Sequence, residues 1–254
     1  MLLAVDVGNT NIVLGCIEEN KILFCERIYT NQLATDLEYA ANIKTAMEMH
    51  DVRPVSISGA IISSVVPTMT SVFSAAVRKL IGVKPMVVGP GIKTGLSIVI
   101  DNPAQLGSDL VVDAVAGISE YPAPMIIIDM GTATTLSVID DRKRYRGGMI
   151  VTGMAVSSDA LIKRTAQLPK FAFEKPKHVI GTNTVDCLKS GLMYSTACAL
   201  DGMVERIEEE LGRRCTVIAT GGLASTVVPL CRREMILDDD LLLKGLNIIY
   251  NKNI

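Results

Sequence analysis

The chain repeats itself at long range. A short apolar run, Leu2–Val7, carries Asp6-Val7-Gly8-Asn9-Thr10 at its end. Near the middle a second run of the same kind, Met125–Asp129, leads into Asp129-Met130-Gly131-Thr132. Each opening run is followed by two more β-like segments joined by a polar turn. In the first half these are Asn11–Ile17 and Ile22–Tyr29; in the second they are Thr134–Asp140 and Tyr145–Ile150. Helical patterns and further strands follow in both halves. A period this long is the mark of a duplicated unit rather than of a small stacked repeat. It predicts two related α/β halves, residues 1–122 and 123–254, joined at the linker-like stretch Tyr121-Pro122-Ala123-Pro124.

The remaining elements follow from periodicity and punctuation. Leu37, Ala40, Ala41, Ile43, Ala46 and Met47 predict a helix over Thr35–Met49, with Thr35 or Asp36 as cap. Ser58–Val66 reads as a buried strand stopped by Pro67, which starts a helix running through Leu80. Pro85–Val88 reads as a short strand. Asn102 and Pro103 open a predicted helix over Pro103–Glu120, with the apolar stripe Leu106, Leu110, Val111, Ala114, Val115 and Ile118. Helices are expected at Ala155–Gln167, Val185–Leu211 and about Asp239–Tyr250, and a strand at Thr216–Ala219 ahead of Thr220-Gly221-Gly222.

Composition removes several function classes. The formal net charge is −2 over 254 residues, so no basic excess is available to neutralise a nucleic-acid backbone. The apolar runs are broken before they reach the roughly 18–20 residues of a membrane span, and Leu2–Val7 contains Asp6, unlike a secretory leader. Six widely separated cysteines form no Cys-x-x-Cys pair and read as free thiols of a reducing compartment. With only His50 and His178, a His-based zinc site or a Ser-His-Asp triad is improbable. Carboxylates are left to carry acid–base chemistry.

The two Asp-x-Gly turns supply what a polyphosphate needs. Glycine lets backbone amides approach a ligand closely, and Asn9, Thr10 and Thr132 add side-chain donors. A charge at the end of an apolar strand is costly unless a cation or other partner relieves it. One such turn alone reads as a hairpin. Two at equivalent places in a repeat, together with Gly221 and Gly222, point to phosphate clamping. Gly89-Pro90-Gly91-Ile92-Lys93-Thr94 looks like a phosphate loop but lacks Gly directly before Lys93, and Pro90 removes an amide; it reads as a loop that could order the substrate side. Asp109, early in its helix, is the candidate base for an acceptor hydroxyl; a favourable charge at a helix N-terminus is an equally good account of it from composition alone.

Taken together, Asp6-Val7-Gly8-Asn9-Thr10-Asn11, Asn102-Pro103 with Gly107-Ser108-Asp109, Asp129-Met130-Gly131-Thr132-Ala133-Thr134-Thr135, Gly181-Thr182-Asn183-Thr184 and Thr220-Gly221-Gly222 resemble the type III pantothenate kinases, in order and spacing, over nearly the whole chain. The resemblance implies duplicated ribonuclease H-like (actin-like ATPase) domains with an interdomain cleft. It implies phosphoryl transfer from ATP to pantothenate, giving 4'-phosphopantothenate on the way to coenzyme A, with Mg2+ and with K+ or NH4+, in a cytoplasmic homodimer. Carried over by position, Asp6, Val7, Gly8, Asn9, Thr10, Asn11, Ile12 and Val13 would bind phosphate, with Asp6 reaching the divalent ion. Thr132, Gly221 and Gly222 would meet ATP, and Asp129 would hold the monovalent cation. Asp109 would be the base, and Ile100, Gly107, Ser108, Asp109, Leu110 and Thr184 would meet pantothenate. Three positions depart from the family pattern: Leu110 replaces an Arg, Ile100 a Tyr, and Leu136-Ser137 a Phe-Asp. Two other readings remain: a kinase of the same fold for another small hydroxylated acceptor, and a non-catalytic nucleotide-binding regulator.

Overall fold

The computed structural model describes residues 1–254 and divides into two compact units, each built on one mixed sheet. The first unit comprises residues 1–96, 101–119 and 240–254; the second comprises 97–100 and 120–239.

In the first unit β1 (Leu2–Val7), β2 (Asn11–Glu18) and β3 (Lys21–Tyr29) form an antiparallel meander. β4 (Gly59–Ser64) lies parallel to β1 on its other side, and β5 (Met86–Val87) extends the sheet beyond β4. The order is β3-β2-β1-β4-β5. β1 is buried along its whole length, as a central strand covered on both faces must be. On one face α1 (Asp36–Met49) and α2 (Pro67–Ile81) enclose a core that includes Leu3, Leu14, Tyr39, Ile43 and Phe73. Thr35 caps α1 through a reciprocal capping box with Glu38. On the other face α3 (Ser108–Glu120) and α7 (Leu241–Asn251) pack Val112, Val115, Leu243, Leu246 and Ile249 against Leu2, Ala4 and Ile61.

The second unit repeats this plan. β7 (Met125–Met130), β8 (Ala133–Ile139) and β9 (Arg144–Thr152) form the meander, β10 (Thr216–Thr220) lies parallel to β7, and β11 (Ile236–Leu237) follows β10. A two-residue strand β6 (Ser97–Ile98) adds to the outer edge of β9. Read from that edge the order is β6-β9-β8-β7-β10-β11, which matches the first sheet strand for strand once β6 is set aside. α4 (Met154–Lys163), the 28-residue α5 (Thr184–Leu211) and the short α6 (Ala224–Val227) complete the unit. α5, α6 and the sheet bury Ile126, Ile128, Met193, Leu200, Val204 and Val217 together.

Two expectations are corrected. A single cut between 122 and 123 does not describe the units. The last helix, α7, belongs to the first unit because its apolar face is buried against β1 and β4, and residues 97–100 join the second through β6. The helix expected over Pro103–Glu120 is also interrupted. Pro103–Gln105 is a separate 3-10 turn, Leu106 is extended (ψ 124°), and the α-helix starts at Ser108. The break places Asp109 in the first turn of α3.

Candidate active site

In the first unit the site is the end of β1 and what surrounds it. Asp6 stands opposite Ser63 of β4 on one side and Val13 of β2 on the other. Gly8 donates its amide to Asn11 O (3.1 Å), and the turn is held from outside by Thr30, whose Oγ1 donates to Gly8 O (2.7 Å) and whose amide donates to Thr10 O (2.9 Å). Thr30 is buried. Its role has no local sequence signal, because it lies 22 residues beyond the turn it closes. Asn9, Thr10 and Asn11 are exposed, whereas Val7 and Ile12 point into the core. Only the backbone of those two can face a phosphate.

Asp109 is positioned at the start of α3. Its Oδ1 accepts the Leu110 amide at 2.8 Å. Burial pushes the carboxyl above its ordinary value, and hydrogen bonds from the Leu110 and Asp109 amides only partly offset that. An aspartate so raised holds a proton more strongly than one in water, which suits a general base. A side-chain carbon on Gly107 would run into Asp109 Oδ1, so any larger residue there would displace the carboxylate. Ser108 reaches back to β4: its Oγ accepts from Ser63 Oγ (3.0 Å) and from the Ser64 amide (3.1 Å), and donates to Ser64 O (3.1 Å). Leu110 is half-buried.

In the second unit Asp129 occupies the place in β7 that Asp6 holds in β1, and Thr220 of β10 stands opposite it as Ser63 does opposite Asp6. Gly131 donates to Ala133 O (3.1 Å) and Gly153 donates to Thr132 O (3.1 Å), leaving the Thr132 side chain exposed. Gly221 has φ +94°, and a side-chain carbon there would stand 2.5 Å from Asp129 Oδ1 and 2.6 Å from the Met130 amide. The Gly221-Gly222 turn and the Asp129 turn therefore lie against each other, as the sequence motifs had left open. Thr135 of β8 stands opposite Asp129, and its buried Oγ1 has no hydrogen-bond partner. Thr184 is exposed at the start of α5, directly after the N-cap Asn183, which accepts from the Asp186 amide (3.0 Å). Ile100 follows β6 and lies beside Gly147, in the second unit, whereas Gly107, Ser108, Asp109 and Leu110 belong to the first.

Two other features carry no part of this site. The Gly89–Thr94 loop is fastened by the C-terminus: Lys93 donates its amide to Asn253 Oδ1 (3.0 Å), and Asn253 Nδ2 donates to Lys93 O (3.0 Å). A crevice of 890 Å3 at the C-terminal end of α5 is lined by Asp201, Glu208, Arg214, Arg232 and Arg233 among others. Two of its acids are already used: Glu208 accepts from Arg233, Arg214 and the Cys215 amide, and Asp201 from the Arg232 and Arg233 amides. Its arginines flank the start of β10, about 16 Å from the glycines at the other end by the rise of a five-residue strand.

Comparison with known proteins agrees with this arrangement. Three-dimensionally the chain is similar to component A of (R)-2-hydroxyglutaryl-CoA dehydratase from Acidaminococcus fermentans (TM-score 0.56, 14% identity, 98% of this chain and 96% of that one). It is similar too to a polyphosphate/ATP-glucomannokinase from an Arthrobacter strain (TM-score 0.50, 15% identity, 99% and 97%). At such identities these matches speak for the shared duplicated α/β fold alone. In sequence it is 41% identical over 254 residues to a type III pantothenate kinase of Halalkalibacterium halodurans, covering 100% of both chains. It is 43% identical over 253 residues to one of Bacillus cytotoxicus, covering 100% of this chain and 97% of the relative. Residues 2–206 match the family model for type III pantothenate kinase, and with that match the chain belongs to the type III pantothenate kinase family.

Proposed function

We propose that the chain transfers the γ-phosphate of ATP to the pantothenate hydroxyl, with Asp109 as base. The observation that carries this reading is the half-buried Asp109 carboxyl, pushed upward by desolvation, in the same unit as the Asp6–Gly8 turn. Asp109 takes the proton from the acceptor hydroxyl as its oxygen bonds to the γ-phosphorus; the bond to the bridging oxygen breaks and ADP departs. In the first unit the amides of the Asp6–Asn11 turn bind phosphate and Gly107–Leu110 meet the acceptor; in the second, Thr132, Gly221 and Gly222 contact ATP and Thr184 contacts the acceptor.

The donor set fits a divalent ion that arrives with ATP. No three metal-ligating side chains gather in either unit, and Mg2+ is commonly held by one or two carboxylates plus phosphate oxygens. Asp6 is the carboxylate for it, and the bound ion supplies charge neutralisation during transfer. A monovalent cation, K+ or NH4+, fits beside Asp129. The unsatisfied Thr135 Oγ1 stands across the β7–β8 pair from that carboxylate and adds a neutral oxygen. Both units expose apolar side chains, Leu33, Met49 and Val55 in the first and Ile150, Val179 and Ile180 in the second among them, and covering such side chains with a second copy favours a homodimer. Six free thiols support a reducing, cytoplasmic setting, and no helix is long and apolar enough to cross a membrane.

The test is turnover of pantothenate with ATP, Mg2+ and K+, read as 4'-phosphopantothenate by mass spectrometry. Absence of product under these conditions overturns the reading. A second reading, a kinase for another hydroxylated acceptor, draws on Leu110 and Ile100, which make the acceptor side more apolar than the family pattern. Screening acceptors by ADP release separates the two, and a clear preference for pantothenate excludes the second.

A further inference from the structure

We propose that the Ser63–Ser108 hydroxyl pair is a positioning device that fixes the base Asp109 relative to the strand carrying the first phosphate turn; this rests on the kinase reading above. Neither serine need touch substrate for it to act. A serine hydroxyl has one proton to give and two lone pairs to fill. Ser108 Oγ uses all three, on Ser63 Oγ, Ser64 N and Ser64 O. The hydroxyl therefore has no capacity left for an acceptor, which can meet Ser108 only through its backbone, and the side chain's work is structural alignment.

The path runs through adjacent residues. Ser63 is fully buried and is the register partner of Asp6, while Ser64 is that of Val7. The Val65 amide donates to Val7 O (3.1 Å), continuing the β1–β4 ladder beyond the strands. From Ser63 a single hydroxyl contact reaches Ser108, and Asp109 is the next residue. Without the three Ser108 hydroxyl contacts to β4, the start of α3 only follows an extended Leu106 and a glycine. Such a helix start is prone to fray. Asp109 itself is fitted tightly between Gly107 and the Leu110 amide, so a small shift of the first turn displaces its carboxylate. A misplacement of about 1 Å costs up to about 100-fold in rate. Sequence reading passes over Ser63 because it lies in an unremarked stretch of buried strand.

The test uses the full-length chain and the variants Ser108→Ala, Ser63→Ala and Ser108→Thr. Ser108→Ala is expected to lower kcat by about 10- to 100-fold with KM for ATP within about twofold. Ser63→Ala falls between it and wild type, and Ser108→Thr, which keeps the Oγ, recovers most of the loss. Independently of turnover, the Asp109 carboxyl carbon is titrated by NMR, assigned with Asp109→Asn. Its midpoint is expected to move toward the ordinary carboxylate value in Ser108→Ala and back in Ser108→Thr. An unchanged kcat, or an activity loss that tracks the folded fraction with an unmoved Asp109 titration, overturns the proposal. If wild type makes no 4'-phosphopantothenate, the kinase reading fails, and the Asp109 titration still decides the positioning role.

Discussion

Gly221 presses against Asp129: a side-chain carbon on the glycine would lie 2.5 Å from the carboxylate oxygen, and its φ of +94° belongs to the region that side chains avoid. Gly221→Ala therefore meets both a clash and backbone strain, each of about 1–3 kcal/mol. We expect a lower melting temperature and ATP binding weakened about tenfold or more, since about 1.4 kcal/mol is a factor of ten. Gly212→Ala is the matched control. Gly212 has φ +66° but nothing within 4 Å of the added carbon, so it should lose stability through strain alone and keep its ATP affinity in calorimetric titration.

Asp109→Asn separates catalysis from stability. With Asp109 as the proposed base, the substitution should lower kcat by about 10²–10⁴-fold, with ATP binding retained because the Leu110 amide still finds an oxygen at Oδ1. The stability effect has the opposite sign. The unfolded carboxyl titrates near 3.8 and the folded one higher, because burial disfavours its charge. The native state thus binds the proton more tightly. Stability is fully present below pH 3.8 and declines as pH rises through the native value. At pH 7 the wild-type protein carries the whole cost and the amide carries none, so the variant should melt higher. Melting curves from pH 7 down to pH 3 should show the difference shrinking. In wild type, turnover should fall on the acid side at a pH above the ordinary carboxylate value.

Much of this was legible in the residues, for identifiable reasons. Leu2–Val7 and Met125–Met130 are buried on both faces, so their apolar runs stand out whatever surrounds them. Thr35 and Glu38 form the capping box their spacing encodes, and the equivalence of Asp6 and Asp129 follows from the repeat. β6 and β11 were not legible, although the equally short β5 was: a two-residue strand has no periodicity of its own, and these two exist only through pairing with β9 and β10. The interruption at Leu106 was masked because Leu106 continues the apolar stripe of α3 while its backbone is extended. Thr30 and Ser63 carry polar roles set entirely by register and by partners distant in sequence.

Thr135→Val tests the monovalent-cation site. The substitution keeps the shape of a buried side chain and removes a hydroxyl that has no protein partner. Removing an unsatisfied buried polar group of this kind is neutral or stabilising, so the melting temperature without added cation should hold or rise. If Thr135 Oγ1 helps Asp129 hold K+, half-maximal activation should need about tenfold more of it, as loss of about 1.4 kcal/mol implies. The stabilisation of the protein by added KCl relative to choline chloride should shrink in parallel. Equal K+ responses in the two proteins would remove Thr135 from the site.

Leu110→Arg addresses the acceptor side. Pantothenate carries a carboxylate, and an Arg fork pairs with a carboxylate through two charge-assisted hydrogen bonds. Leu110 is half-buried beside the base and supplies no charge. Because Leu110 is only half-buried, an arginine there can keep its stem on apolar surface and carry its charged end outward. A charge-assisted pair is worth about 1.5–3 kcal/mol, so KM for pantothenate should fall about tenfold or more in the variant while KM for ATP stays constant. Ile100→Tyr, in the other unit, should add a smaller effect of the same sign. If Leu110→Arg instead raises KM for pantothenate and a screened neutral acceptor is preferred by the native chain, the apolar residue is itself the specificity determinant, and the acceptor of this kinase lacks the charge that the arginine would read.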